Sequence, residues 1–237
     1  MNEINQTKVP QTPTVSVTRP AQKVQKKSGG FFGTIVLGCF LIFLLLIGGL
    51  AYASFMIFKN IGKPIDLGVV ASTKDFNQFI AESGLELKSE ATQLCFTCDV
   101  KWEGVQEAEI KLSNEEASAW FDAVNSGLGV IDNTQIKFED GKVTIATMFT
   151  YEGIALPVMI SGGLEKVTDT SVAVDLQTLK VGGLSIPGEY VVQVEAALED
   201  FTNSKIAEIP EFKLDTLEIK ADYLDFSGDI PESVEAL

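Results

Sequence analysis

The chain has 237 residues, with 18 lysines and arginines against 33 aspartates and glutamates, no histidine and a formal charge of −15. The missing histidine excludes serine–histidine and cysteine–histidine catalysis and every histidine-containing zinc or iron site, and the charge excludes nucleic acid as a partner of the acidic part. Yet 46% of the residues are apolar and the mean hydropathy is +0.19, so acidic and apolar residues must be segregated along the chain.

They are. Residues 1–30 carry Lys8, Arg19, Lys23, Lys26 and Lys27 against the single acid Glu3, with Pro10, Pro13, Pro20 and no apolar periodicity. That is the composition of a disordered basic tail. Residues 31–58 contain no charge. As a helix rising 1.5 Å per residue they would span about 42 Å, more than the ~30 Å hydrocarbon core, which predicts one tilted transmembrane helix. The cations before it place the N-terminus in the cytoplasm and the acidic remainder outside, at a plasma membrane crossed once. Lys26-Lys27 would sit against anionic headgroups, in keeping with that orientation. Ala51-Tyr52-Ala53 has the form of a signal-peptidase site and Val36-Leu37-Gly38-Cys39 loosely that of a lipobox. The long apolar run before the first, the position of Cys39 near the start of the run, and Phe55 to Phe58 after it favour an uncleaved signal anchor. Gly49 and Ala53 form a small-xxx-small pair suited to helix pairing.

Residues 59–71 read as a juxtamembrane linker reaching at most about 40 Å, and residues 72–237 as an extracytoplasmic α+β domain. Ser72-Thr73 caps a helix over Lys74 to Ser83, with Phe76, Phe79 and Ile80 on one stripe and a stop at Gly84. Val100 and Trp102, then Ala108, Ile110 and Leu112 alternating with charge, predict strands. Ser113 to Glu116 is a capping box for a helix carrying Ala117, Trp120, Phe121 and Val124 and ending near Gly127. Ile136 and Phe138 lead into the hairpin turn Asp140-Gly141, and Val143, Ile145, Phe149 and Tyr151 continue the same face. Leu156, Val158 and Ile160 predict a strand broken by Gly162-Gly163. Val172, Val174 and Leu176 change phase at Gln177-Thr178 before Leu179 and Val181, which predicts a β-bulge in a curved sheet. A third helix carries Tyr190, Val191, Val194, Ala197, Leu198 and Phe201. Strands at Phe212-Leu214, Leu217-Ile219 and Leu224-Phe226 close the chain at Gly228. The expected class is α+β, with one curved, mostly antiparallel sheet and about three helices.

Chemistry-bearing residues are sparse. Cys95 and Cys98 form a C-x-x-C pair, read as a local disulfide or two free thiols. A redox role would need a strand-to-helix setting that the pair lacks, and a metal would need further ligands. Asp222, Asp225 and Asp229 match no calcium loop, and Glu115-Glu116 suit a helix N-terminus. No phosphate loop or nucleophile elbow occurs, so no catalytic, cofactor-binding or metal-ligating residue is nominated. The three helices present Phe76, Phe79, Trp120, Phe121, Tyr190 and Phe201, candidates to line an apolar ligand site as well as to fill the core.

The motifs IKLSNEEASAWFDAV, FEDGKVTI and LKVGGLSIPGEYV, between Ile110 and Gly228, resemble the YpmS-like family of single-pass extracytoplasmic bacterial proteins. The closing TLEIKADYLDFSG is similar to the end of LmeA-like mycobacterial envelope proteins, whose fold is related to tubular lipid-binding (TULIP) domains. The likeness covers about half the chain, leaves residues 60–105 unplaced and supplies no catalytic residue. It implies a TULIP-like domain and a non-enzymatic envelope protein that binds a lipid or other apolar ligand near the outer membrane face. Two alternatives stand beside it: a structural or protein-interaction module showing an acidic surface to an envelope partner, and a thiol-redox protein using Cys95 and Cys98. No cofactor is expected. The sequence leaves ligand, partner and oligomeric state open.

Overall fold

A computed structural model describes residues 62–95 and 97–237. The basic tail and the predicted membrane span therefore lie outside the described residues. Among the described residues no helix is long and apolar enough to cross a membrane.

Among the described residues three α-helices and eleven strands follow one another. They are α1 (Thr73–Ser83), β1 (Glu86–Leu87), β2 (Val100–Glu103), β3 (Gln106–Ser113), α2 (Asn114–Asn125), β4 (Ile131–Glu139), β5 (Lys142–Tyr151), β6 (Ile154–Thr168), β7 (Ser171–Val181), β8 (Leu184–Ser185), α3 (Gly188–Ala207), β9 (Lys213–Lys220), β10 (Tyr223–Ile230) and β11 (Ser233–Ala236). The class is α+β with mostly antiparallel pairing. The strands form three sheets, where the sequence pattern predicts a single one: β1-β11-β2, β3-β10-β9 and the five-stranded meander β4-β5-β6-β7-β8. Among the described residues only β1 and β11 pair in parallel. The short segments before β3 and after β10 carry too few alternating residues to show that they pair with each other.

Local signals explain the helix starts. In α1 the Asp75 carboxylate accepts from Ser72 N and Oγ at 2.8 and 2.6 Å, and Gly84 ends the helix in the left-handed region. In α2 the Glu116 carboxylate accepts from Ser113 N and Oγ at 2.9 and 2.6 Å, while Ser113 Oγ accepts from Glu116 N. The acidic residue at position 116 is thus a buried cap.

The five-stranded sheet departs from the sequence pattern at one place and follows it at another. Gly162-Gly163 does not break β6, which runs on to Thr168. A Cβ at Gly162 would collide with the Asp175 carbonyl of β7, so glycine is there to let two backbones approach. The register shifts across the same point, where Ser161 pairs with Thr178 and Gly162 with Leu176. Gln177 is the extra residue, at the position where the apolar phase changes. β10 likewise continues past Gly228 to Ile230.

β9 lies across the turn end of the five-stranded sheet. Gly141 N donates to Ile219 O, Asp222 N to Phe138 O and Leu214 N to Asp169 O, at 3.0, 3.1 and 2.7 Å. Beneath it Ala117, Ile136, Phe138 and Ile219 form a buried cluster, with Leu112, Phe121, Val143, Ile145, Leu164 and Leu224 packed on it. A second core of Leu85, Leu94, Val124 and Val234 joins β1, β2 and β11 to the end of α2. The last part of the linker belongs to the domain, since Leu67 N and Val69 N both donate to Gln135 Oε1 on β4 and Val69 is buried.

Candidate functional site

An open sheet edge presents unpaired amides, and a five-stranded meander has two such edges. The edge strand β4, and β7 along the stretch that the two-residue β8 leaves uncovered, are closed here by helix side chains. Along β4, the amides of Phe138, Ile136 and Thr134 donate to Asn114 Oδ1, Ser118 Oγ and Asp122 Oδ1 of α2, at 2.7, 2.8 and 2.9 Å. Along β7, the amides of Leu176, Val174 and Val172 donate to Glu195 Oε2, Glu199 Oε2 and Asn203 Oδ1 of α3, at 2.7, 3.0 and 2.9 Å. Asn203 Nδ2 returns a bond to Val172 O at 2.9 Å.

The geometry makes this arrangement natural. Four helical residues rise about 6.0 Å and two strand residues about 6.7 Å, so acceptors at every fourth helix position meet alternate strand amides. Each helix therefore stands beside the sheet as a substitute strand. The ladders also fix how each helix is rotated. With Glu195, Glu199 and Asn203 turned to β7, helical spacing puts Tyr190, Val191, Val194, Leu198 and Phe201 on one side of α3 and Val192, Ala196 and Asp200 on the other. The first group is half-buried and the second exposed. On α2 the corresponding inner side carries Ala117 and Phe121, which pack with Ile136 and Phe138.

Between the two helices lies the inner face of the meander. The register puts Ile131, Phe149, Leu156 on one rung, Ile136, Ile145, Ile160 and Leu179 on another, and Val158 beside Val181. β9 and α2 seal the end of this face near Asp140. Toward the β5–β6 turn Phe149, Tyr151, Leu156, Val158 and Ile160 are half-buried and Ile154 is exposed. The Thr147 hydroxyl on this face is already engaged with Thr134 Oγ1 and the Asp132 carbonyl, at 2.9 and 3.1 Å. This apolar trough, flanked along its edges by α2 and α3, carries no free charged group on its floor.

The six aromatic residues nominated from the sequence do not gather in one place. Phe76 and Phe79 of α1 pack on Trp120, with ring centroids 5.9 and 5.2 Å apart. Phe121 packs on the Ile136 and Phe138 cluster, and Tyr190 and Phe201 are half-buried on α3. Cys95 and Cys98 are joined by a disulfide, with Cα atoms 5.0 Å apart, in the segment next to Leu94 of the second core. Closing a four-residue loop restrains the unfolded chain little, so the Cys95→Ser, Cys98→Ser variant is expected to lose about 2 kcal/mol or less in urea denaturation.

Asp222 sits in the β9–β10 turn and accepts from Asn114 Nδ2 at 3.4 Å, while Asp225 and Asp229 lie on the outer face of β10. Among the described residues no three of Cys, Asp and Glu are grouped to hold a metal ion. Lys101 and Lys88 hold the exposed Glu103 carboxyl down to about 2, a surface arrangement of little energetic weight. Burial pushes the Asp122 carboxyl above the ordinary aspartate range, against the Thr134 amide, which lowers it. An acid with a raised folded value binds its proton in the folded state first. Its contribution to stability therefore falls as pH rises through that window. Asp122→Asn keeps Oδ1 for Thr134 and removes the charge. It is expected to be at least as stable as wild type at neutral pH, the difference vanishing below the ordinary aspartate value; urea titrations across pH measure this.

Sequence reasoning missed the six ladder residues, because Asn114, Ser118, Asp122 and Glu195, Glu199, Asn203 look like ordinary solvated helix faces. The available signal is the i, i+4, i+8 run of side-chain acceptors on each helix.

Comparison of the chain with protein-family models, with curated proteins and with solved structures finds no match.

Proposed function

We propose that the chain is a non-enzymatic, membrane-anchored protein of the cell envelope that holds the acyl part of a lipid in the trough between α2 and α3. The observation that supports this reading is the half-buried apolar floor of Phe149, Leu156, Val158 and Ile160, flanked along its edges by α2 and α3. About ten methylenes laid along it would contribute on the order of 8 kcal/mol before the costs of association. The acidic domain favours a neutral, zwitterionic or cationic headgroup over an anionic one. Native mass spectrometry of the full chain in mild detergent, with extraction of the bound fraction, is the test. Wild type should carry lipid, and Val158→Asp and Val158→Trp should lose it while keeping their circular dichroism. Lipid-free wild type, or equal lipid in both variants, contradicts the reading.

A second reading has its own observation. The outer face of β3-β10-β9 is rich in acids and holds a depression of about 650 Å³ lined by Glu82, Glu109, Lys111, Thr216, Asp225 and Ser227. This suits a structural or interaction module with a cationic envelope partner. Crosslinking in intact cells from Glu109 and Asp225 distinguishes it, since this reading requires a protein adduct there.

A further inference from the structure

The five-stranded sheet has unlike ends. One carries the β4–β5 and β6–β7 turns with Glu139, Asp140, Lys142, Lys166 and Asp169, four of them joined in the ion pairs Lys142–Glu139 and Lys166–Asp169. The other carries Val130, Ile154 and Leu184, exposed at 38, 57 and 45%, against the single exposed aliphatic Val167 at the charged end. Val130 is fixed beside the β5–β6 hairpin by the bond from Thr150 N to its carbonyl at 2.8 Å. Ile154 pairs with Tyr151, and Leu184 with Val181. Aliphatic side chains held in water at the mouth of an apolar trough mark a contact surface.

The tether indicates what that surface meets. Gln135 holds Leu67 and Val69, and the register runs from Gln135 to Ala146 to Met159. From Ala146 to Tyr151 at the apolar end is about 17 Å along the strand, whereas from Met159 to Thr168 at the charged end is about 31 Å. The nine residues from the uncharged stretch to Leu67 reach about 30 Å only when fully extended. They reach a membrane easily with the apolar end down and only at full stretch with the charged hairpin down.

We infer that the Val130–Ile154–Leu184 end rests in the headgroup region of the membrane that anchors the chain, so that the trough opens directly onto the outer leaflet. This rests on the reading of residues 31–58 as a membrane span. Asp132, Glu152 and Glu189 near this end make a zwitterionic surface the better fit than an anionic one.

The test uses the full chain in phosphatidylcholine vesicles with brominated acyl chains, comparing Ile154→Trp with Val167→Trp in the opposite turn. Val167 is 61% exposed and serves as the control. After subtraction of the emission of Trp102 and Trp120, the tryptophan at 154 should be blue-shifted and quenched, that at 167 should be neither, and added phosphatidylglycerol should weaken the quenching. Quenching at 167 instead, at both or at neither, or a chain that does not float with the vesicles, overturns the inference. Repeating the measurement with Val158→Asp separates the two claims. Quenching at 154 that survives there while wild type carries no lipid leaves the docking and removes the ligand. Lipid in wild type with no quenching at 154 does the reverse.

Discussion

Replacing Glu195, Glu199 and Asn203 together by alanine is expected to release α3 from β7 and lower the thermal midpoint by roughly 10 °C or more. The three side chains are the acceptors for the amides of Leu176, Val174 and Val172, and α3 has no fully buried residue to hold it otherwise. An amide left without an acceptor costs about 1–3 kcal/mol, and a domain of this size loses roughly 2–4 °C per kcal/mol. If water reaches the freed edge, the cost appears instead as concentration-dependent association, because β7 becomes an open template. Glu195→Gln and Glu199→Gln retain a carbonyl acceptor and should behave nearly as wild type. Equal losses in the glutamine and alanine variants would mean that charge, not the acceptor ladder, holds the helix. On the other edge Ser118 is fully buried, its Oγ accepting from Ile136 N while donating to Asn114 O at 2.7 Å. Ser118→Ala should therefore show the full penalty of one orphaned amide, measured by urea denaturation.

Gly162→Ala and Gly228→Ala are expected to be comparably damaging for a different reason. A Cβ at 162 meets the Asp175 carbonyl and one at 228 meets the Lys213 carbonyl. Both obstacles are backbone in a paired neighbouring strand, so neither can turn aside like a side-chain tip. Overpacking of this kind costs about 1–3 kcal/mol even where side chains can adjust, and more where a strand must shift. Gly163→Ala is the control, because its nearest neighbour, the Gly141 carbonyl, lies at an ordinary 3.5 Å. Denaturant midpoints should order wild type and Gly163→Ala together, well above the other two. A destabilised Gly163→Ala of the same size would point to loss of flexibility in the bulge instead.

Much of the fold is legible from residue patterns wherever one face of an element meets a core. The capping boxes at Ser72 and Ser113, the turn at Asp140-Gly141 and the phase change at Gln177 each involve neighbours in sequence, and each has its counterpart in the structure. What escapes the pattern depends on distant partners. Glycine looks like a strand breaker at 162 until Asp175 is placed beside it. Ser233 to Ala236 looks like a short tail until β1 and β2 flank it and bury Val234. The candidate site divides in the same way. Phe121, Tyr190 and Phe201 are apolar on amphipathic helices and their inward side can be read directly. That Phe76 and Phe79 pack on Trp120 depends on where α1 docks, which its own periodicity does not encode. The acceptor ladders are hidden because asparagine, serine and glutamate on a helix usually face water, and only the neighbouring strand edge gives them a partner.

Photocrosslinking in intact cells with a diazirine-bearing acyl lipid, followed by peptide mapping of the full chain, tests the central claim most directly. Occupation of the trough predicts adducts on β5 and β6 around Phe149 to Ile160 and on α3 around Tyr190 to Phe201, competed by unlabelled lipid and lost in Val158→Trp. Adducts confined to residues 31–58, or adducts on the domain that Val158→Trp leaves unchanged, would contradict it.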